Sequence, residues 1–326
     1  MTPRHIIDQI GNTPLVPLTK VTDGLAVPVL CKCEFLNPGG SIKDRIARAI
    51  VEDAEAHGLL GPSSTLVEAT AGNTGIGLAL LAADRGYRLV CVMPEKMSVD
   101  KRVALAALGA TVVVVPNAPP HDPRNFRQVA RRLALERGWF ATDQFNHPAN
   151  PRIHEHTTGP EILAQCGGRI GAFVYGVGTG GTITGVGRYL KKHAPDARII
   201  LADPVGSRLA HLVDARHPDF DGSYKVEGIG GSEAPGVLDL SVIDEAERVT
   251  DEESFAMTGR LMREEGLLVG GSSGTAVVAA MRVAARKELQ GPVVTVLADS
   301  WDRYYSQPWM KELASRPGDD GANILL

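Results

Sequence analysis

Val174-Tyr-Gly-Val-Gly178-Thr179-Gly180-Gly181-Thr182 runs out of a short apolar, β-type segment and straight into a helical one. Glycines let the backbone turn tightly and present successive N–H groups, and a helix N-terminus adds partial positive charge. The stretch therefore reads as a cradle for a phosphate, with the Thr179 and Thr182 hydroxyls as further donors. It lacks the Lys-Ser/Thr ending of a nucleoside-triphosphate loop and is not a Gly-x-Gly-x-x-Gly fingerprint. A turn needed only for close packing is the alternative. A phosphate site without a nucleotide motif points to a phosphorylated cofactor.

Outward from this loop the chain alternates short apolar runs with amphipathic ones. Thr65–Thr70 reads as a strand leading into Gly72-Asn-Thr-Gly75 and a helix from Ile76, and Leu89–Met93 as a buried strand. Ser98 opens a helix through Leu108, and the continuous β-branched run Thr111–Val115 suits a strand covered on both faces. Arg127–Glu136 is helical, with interspersed arginines that read as a solvated face. Downstream come strands at Ala172, Arg198–Ala202 and Val293–Leu297, and helices at Thr182–Lys192, Glu252–Glu265 and Thr275–Lys287. Such alternation predicts an α/β fold with parallel sheets covered on both faces, whose ligands sit at the carboxyl ends of strands.

The 326 residues suggest two domains or one large one. A composition 44% hydrophobic and 22% charged, with 36 glycines, is that of a water-soluble α/β protein. A net charge of −4 with no basic stripe argues against nucleic acid and anionic membrane surfaces as partners. No apolar run is long enough for a membrane span, and Met1–His5 does not open a secretory leader, so a cytoplasmic location is expected. Cys31, Cys33, Cys91 and Cys166 read as packed thiols, and Cys31-x-Cys33 has no second pair at zinc spacing, so no metal site is expected.

Glu34-Phe-Leu-Asn-Pro-Gly-Gly-Ser41-Ile-Lys43-Asp44-Arg45 is a turn followed by a helix start, with Ser41 as candidate N-cap. Lys43 then falls in the first helical turn, where the helix dipole disfavours a cation. A surface lysine paired with Asp44 or Glu34 would account for it. A lysine disfavoured as ammonium is also what a Schiff base to an aldehyde needs.

Five motifs in order, Asn37–Arg45, Gly72–Gly75, Pro94–Ser98, Gly178–Thr182 and Gly270-Gly-Ser-Ser-Gly274, make the chain resemble the cystathionine β-synthase and cysteine synthase branch of fold type II pyridoxal-phosphate enzymes. The resemblance runs from Gly11 to about Met310. It implies two three-layer αβα domains with mainly parallel sheets: a larger one, 1–42 plus 147–326, and a smaller mobile one, 43–146. Pyridoxal 5′-phosphate would lie in the cleft between them, and a homodimer is implied. Carried over, Lys43 binds the cofactor and later moves the substrate proton, while Gly178, Thr179, Gly180, Gly181 and Thr182 hold the phosphate. Asn73 would meet the pyridine 3′-oxygen and Ser272 the ring nitrogen. Thr70, Ala71, Gly72, Thr74, Gln144 and Gly228 would hold the amino-acid substrate.

The implied reaction is β-replacement on L-serine or an O-activated L-serine through an aminoacrylate. Glu227, in Lys225-Val-Glu227-Gly228, stands where cysteine synthases usually carry glutamine, which leans toward the cystathionine β-synthase subgroup and homocysteine as acceptor. There Glu227 could take a proton from the incoming thiol; a salt bridge with Lys225 is the alternative. Ala71, Gly231 and Ala298 depart from the family pattern and bear on the acceptor. Cysteine synthase chemistry on O-acetylserine and sulfide, another nucleophile, or a non-catalytic binding protein are the competing readings. Neither heme nor adenosyl-ligand control is expected of a chain that matches the catalytic core.

Overall fold

Parallel strands buried on both faces send alternate side chains into two different layers, and these strands do so. The computed structural model describes residues 5–315 apart from Ala71, Lys96 and Pro120. Its strands are β1 Leu15–Pro17, β2 Val29–Cys33, β3 Thr65–Ala69, β4 Arg88–Pro94, β5 Thr111–Val115, β6 Phe140–Ala141, β7 Ala172–Tyr175, β8 Arg198–Pro204, β9 Glu245–Val249 and β10 Val293–Leu297. They form a six-stranded sheet, β1-β2-β10-β7-β8-β9, and a four-stranded one, β5-β4-β3-β6. All pairings are parallel except β1 with β2. The smaller sheet is drawn entirely from residues between 65 and 141.

In the larger sheet Phe173, Tyr175, Ile199 and Leu201 enter one apolar layer, while Ala172, Val174, Ile200 and Ala202 enter the other. The smaller sheet divides likewise, with Leu66, Leu89 and Cys91 on one side and Val67, Val90 and Val92 on the other. Each sheet is thus the middle of a three-layer αβα sandwich. Thr111–Val115 corrects the sequence expectation: it is an edge strand paired with β4 alone, and Val114 is 43% exposed. A run of β-branched residues reports strand propensity but not position within the sheet.

Helices follow the strands closely to where they were expected. Asn73–Arg85 ends on Gly86 at φ +76°, and Val99–Ala107 is capped by Ser98, whose hydroxyl accepts the Lys101 N–H. Gly181–His193 begins on a glycine that ends the loop after β7, and Gly271–Ala284 begins on a glycine that ends the loop after the helical turn Leu261–Glu265. Cys31, Cys33 and Cys91 are buried free thiols, and burial pushes Cys33 and Cys91 up to about 12. No helix among the described residues is long and apolar enough to cross a membrane.

A buried ionic group fastens the start of the helix Lys43–Ala56 to the larger sheet. Arg45, 2% exposed, sits between Glu34 and Glu161, donating Nε to Glu34 Oε2 at 2.8 Å and Nη1 to Glu161 Oε1 at 2.7 Å. Lys32 completes it, 2.7 Å from Glu161. Two cations face two carboxylates, and Thr13 and Asn37 donate further bonds to Glu34. The start of the Lys43–Ala56 helix is thereby fixed to β2 and to the helix Gly159–Gln165.

Candidate active site

The carboxyl ends of both sheets open onto a cleft of about 730 Å³. Lys43 stands in it as the first residue of its helix, after the Asn37–Gly40 turn, where Gly40 takes φ +73°. The preceding residues are tied to the end of β10: Ser41 bridges Asp299, and Ile42 donates its N–H to the Ala298 carbonyl at 2.9 Å. Neither pairing that would make Lys43 an ordinary lysine is formed. Glu34 belongs to Arg45, and Asp44 accepts the Gly39 N–H at 2.5 Å. Burial lowers the Lys43 amine from its usual range, with Asp299 opposing. A lysine so placed reaches its neutral, nucleophilic form more readily.

Asp299 is a site residue that motif reading passed over. It is 3% exposed, its Oδ2 accepts Asn73 Nδ2 and the Tyr304 hydroxyl, each at 2.7 Å, and its Oδ1 has no partner. Burial raises its carboxyl. The rule that ligands gather beyond strand ends could have found it, since it lies two residues past β10.

The glycine loop is a cradle in which side chains have no room. A Cβ on Gly178 would lie 2.3 Å from the Gly228 carbonyl oxygen, and one on Gly181 would lie 1.8 Å from Asn150 Oδ1. Gly180 takes φ +87°. Asn150 Nδ2 donates to Thr179 Oγ1 at 3.0 Å, while its Oδ1 is buried without a partner. Behind the loop the neutral His154 ring contacts the Thr182 hydroxyl at 3.2 Å and Thr158 at 2.9 Å; burial holds that imidazole well below its ordinary range. Gly178 and Thr179 line the cleft; Gly180, Gly181 and Thr182 back it from the helix start. Ser272 is also behind the lining, in the first turn of Gly271–Ala284, and its hydroxyl has no partner among the described residues. Cradle, orphaned polar atoms and Lys43 together suit a phosphorylated ring aldehyde.

On the smaller sheet's side, Thr70, Gly72 and Thr74 come together with Gln144, as the sequence led one to expect. Thr74 Oγ1 donates to Gln144 Oε1 at 2.6 Å, and Gln144 is held from below by the buried Glu68, which also takes the Thr142 hydroxyl. Ala71 lies outside the described residues. Glu227 and Gly228 form part of the opposite lining. Glu227 is not paired with Lys225. It meets the Lys101 ammonium from the helix Val99–Ala107 and accepts Gln307 Nε2 at 2.7 Å. This clasp spans the mouth of the cleft, and Lys101 gave no signal in sequence beyond an ordinary helix charge.

Comparison with known proteins places this geometry. Residues 6–299 match the family model described as pyridoxal-phosphate dependent enzyme. Cystathionine β-synthase of Apis mellifera is 45% identical over 314 residues, covering 94% of this chain and 62% of that protein. The chain thus spans somewhat over half the length of such relatives. A cysteine synthase of Staphylococcus aureus is 43% identical over 305 residues, covering 93% of this chain and 96% of that one. The crystal structure of O-ureido-L-serine synthase superposes with a TM-score of 0.88 at 38% identity, covering 98% of each chain.

Proposed function

The chain belongs to the pyridoxal-phosphate dependent enzyme family, and from that premise we propose that it replaces the β-substituent of L-serine or an O-activated L-serine with a thiol, homocysteine being the first candidate. The observation that carries the reading is Lys43, deprotonated more readily than an ordinary lysine and standing beside a glycine cradle in the cleft. Homocysteine is favoured by the cystathionine β-synthase relatives and by Glu227, a carboxylate at the cleft mouth.

When bound, the cofactor supplies an aldehyde for the substrate amine and a ring that draws electrons from the α-carbon. Gly178–Thr182 would hold its phosphate, Asn73 its 3′-oxygen and Ser272 its ring nitrogen. The Ser272 hydroxyl, unlike a carboxylate, would bring no negative charge to that nitrogen and so would favour loss of the β-group over transamination. Thr70, Thr74 and Gln144 would take the substrate carboxylate. Lys43 Nζ would remove the α-proton and return it after the thiol has added. Asp299 would aim Asn73 through its 2.7 Å bond. Glu227 would receive the thiol proton once the incoming substrate loosens its bond to Lys101. Residues 43–146 would close over the cleft and keep water out. A cytoplasmic homodimer completes the reading.

Sulfide as acceptor, with O-acetylserine as donor, is the second reading, favoured by the cysteine synthase relative that matches over nearly its whole length. The test crosses serine and O-acetylserine with homocysteine, sulfide, cysteine, cyanide and ammonia on the cofactor-loaded protein. Products are read by mass spectrometry with Lys43→Ala as control. Cystathionine identifies the first reading, and cysteine with homocysteine inert identifies the second. No product from any pair would end both.

A further inference from the structure

Arg127 reads in sequence as one charge on a solvated helix face; it is exposed as that predicts, and it also lines the open side of the cleft. It sits in the first turn of the helix Phe126–Arg137, and its guanidinium lies 4.3 Å from the Phe145 ring centroid and 5.7 Å from that of Phe126. Among the described residues this guanidinium has no ion pair and no hydrogen bond. Desolvation lowers it from the usual arginine range; Glu68, Asp143 and Glu233 act against that from beyond ion-pair distance. Glu68 is already taken by Thr142 and Gln144, and Asp143 by Asn146 and Arg131.

The other cations of the cleft are engaged. Lys101 holds Glu227, Arg303 donates to the Gly39 carbonyl and to Asp302, and Lys43 is the proposed cofactor lysine. Asp100 also lines the cleft without an ion pair, but it stands in the first turn of its helix, where the dipole favours a carboxylate. Arg127 stands in the same position with the opposite sign, so its own helix disfavours it. Stacking on Phe145 holds the flat guanidinium in place while leaving its N–H groups free in their plane, which suits a carboxylate or a phosphate. Phe145 directly follows Gln144, the residue proposed for the amino-acid carboxylate, so the guanidinium sits next to the donor subsite.

We propose that Arg127 is an anion subsite for the substrate atoms beyond the β-carbon, binding a carboxylate or phosphate oxygen pair. The inference rests on the β-replacement reading and extends it to the class of second group the cleft accepts. That anion has two possible sources: a phosphate leaving group on the donor, or the carboxylate of an amino-acid acceptor.

The test uses cofactor-loaded wild type, Arg127→Ala and Arg127→Lys. In the donor arm, O-phospho-L-serine and O-acetyl-L-serine are titrated without acceptor, and half-saturation is read from the cofactor's absorbance change. In the acceptor arm, KM is measured for homocysteine and for 2-mercaptoethanol, which has no carboxylate. A lost charge-assisted pair should weaken the anionic compound of one arm about 10- to 100-fold in Arg127→Ala, with its neutral counterpart scarcely changed and Arg127→Lys intermediate. Weakening confined to O-phosphoserine assigns the anion to the leaving group, and weakening confined to homocysteine assigns it to the acceptor. Equal effects on anionic and neutral compounds, or none, overturn the subsite. A wild type whose absorbance answers no donor overturns the β-replacement reading and the subsite with it, whereas normal turnover with Arg127 indifferent overturns the subsite alone.

Discussion

Replacing Arg45 with methionine keeps most of the side chain's volume and removes its charge from a place water does not reach. The four-charge group is neutral as built, and Arg45→Met leaves Glu34 and Glu161 facing Lys32 alone, a buried net charge of −1. Glu34 is wholly buried and loses two bonds from the guanidinium. Breaking a buried pair from one side costs about 3–5 kcal/mol, because a charge is left without a partner. In a chain of this size that corresponds to a fall of roughly 4–7 °C in melting temperature. Circular dichroism melts at neutral pH measure it directly. Adding Glu34→Gln restores neutrality, so the double variant should recover more than about 1 kcal/mol over Arg45→Met.

The pH dependence carries the sign of the argument. In the wild type, burial would raise the Glu34 carboxyl, but Arg45, Thr13 and Asn37 overcome it and hold it low. Its contribution is therefore full above the unfolded value of about 4.3 and is lost only as pH falls through the depressed folded value. Without Arg45 the burial cost is opposed only by the neutral donors Thr13 and Asn37 and by Lys32, which Glu161 shares, so the Glu34 carboxyl rises and protonation relieves the variant as pH falls. The stability gap between the two proteins should narrow between pH 7 and 5. A loss below about 1 kcal/mol, or a gap that widens on acidification, would refute the reasoning.

Lys43→Ala should lower turnover by about a thousandfold or more and leave the cofactor removable by gel filtration, since one residue both binds it and moves the proton. Gly181→Ala would push a methyl into Asn150, so cofactor affinity, followed by fluorescence titration, should fall at least about tenfold; unchanged affinity would show that the loop tolerates side chains. Asp299→Ala removes the one carboxylate oxygen that accepts from both Asn73 and Tyr304. It should shift the absorbance spectrum of the bound cofactor and lower kcat by about 10-fold or more with little change in KM for the donor.

What could be read from the chain was whatever must recur at fixed spacing. Gly178–Thr182 and Asn37–Lys43 are legible because a backbone that turns this tightly admits few alternatives to glycine. The strand and helix periods followed from burial on two faces. Lys101 and Arg127 were not legible as site residues, and Asp299 only by its place just past a strand end. Each is a single charge whose meaning comes from partners remote in sequence: Asn73 is 226 positions from Asp299, and Glu227 is 126 from Lys101. Thr111–Val115 failed in the other direction, since four consecutive valines state a preference for extended backbone and nothing of how many neighbours the strand has.

The glycine cradle also constrains how such a protein can change over generations. Its backbone touches Gly228 and Asn150 so closely that most single substitutions there would disturb cofactor binding before altering which substrate is used. Met97, Lys101, Phe126 and Arg127 stand instead at helix starts on the other sheet, with solvent beside them. Inheritance of the chemistry and novelty in the substrate are carried by different parts of the molecule, so a lineage can explore new acceptors while its reaction type stays fixed.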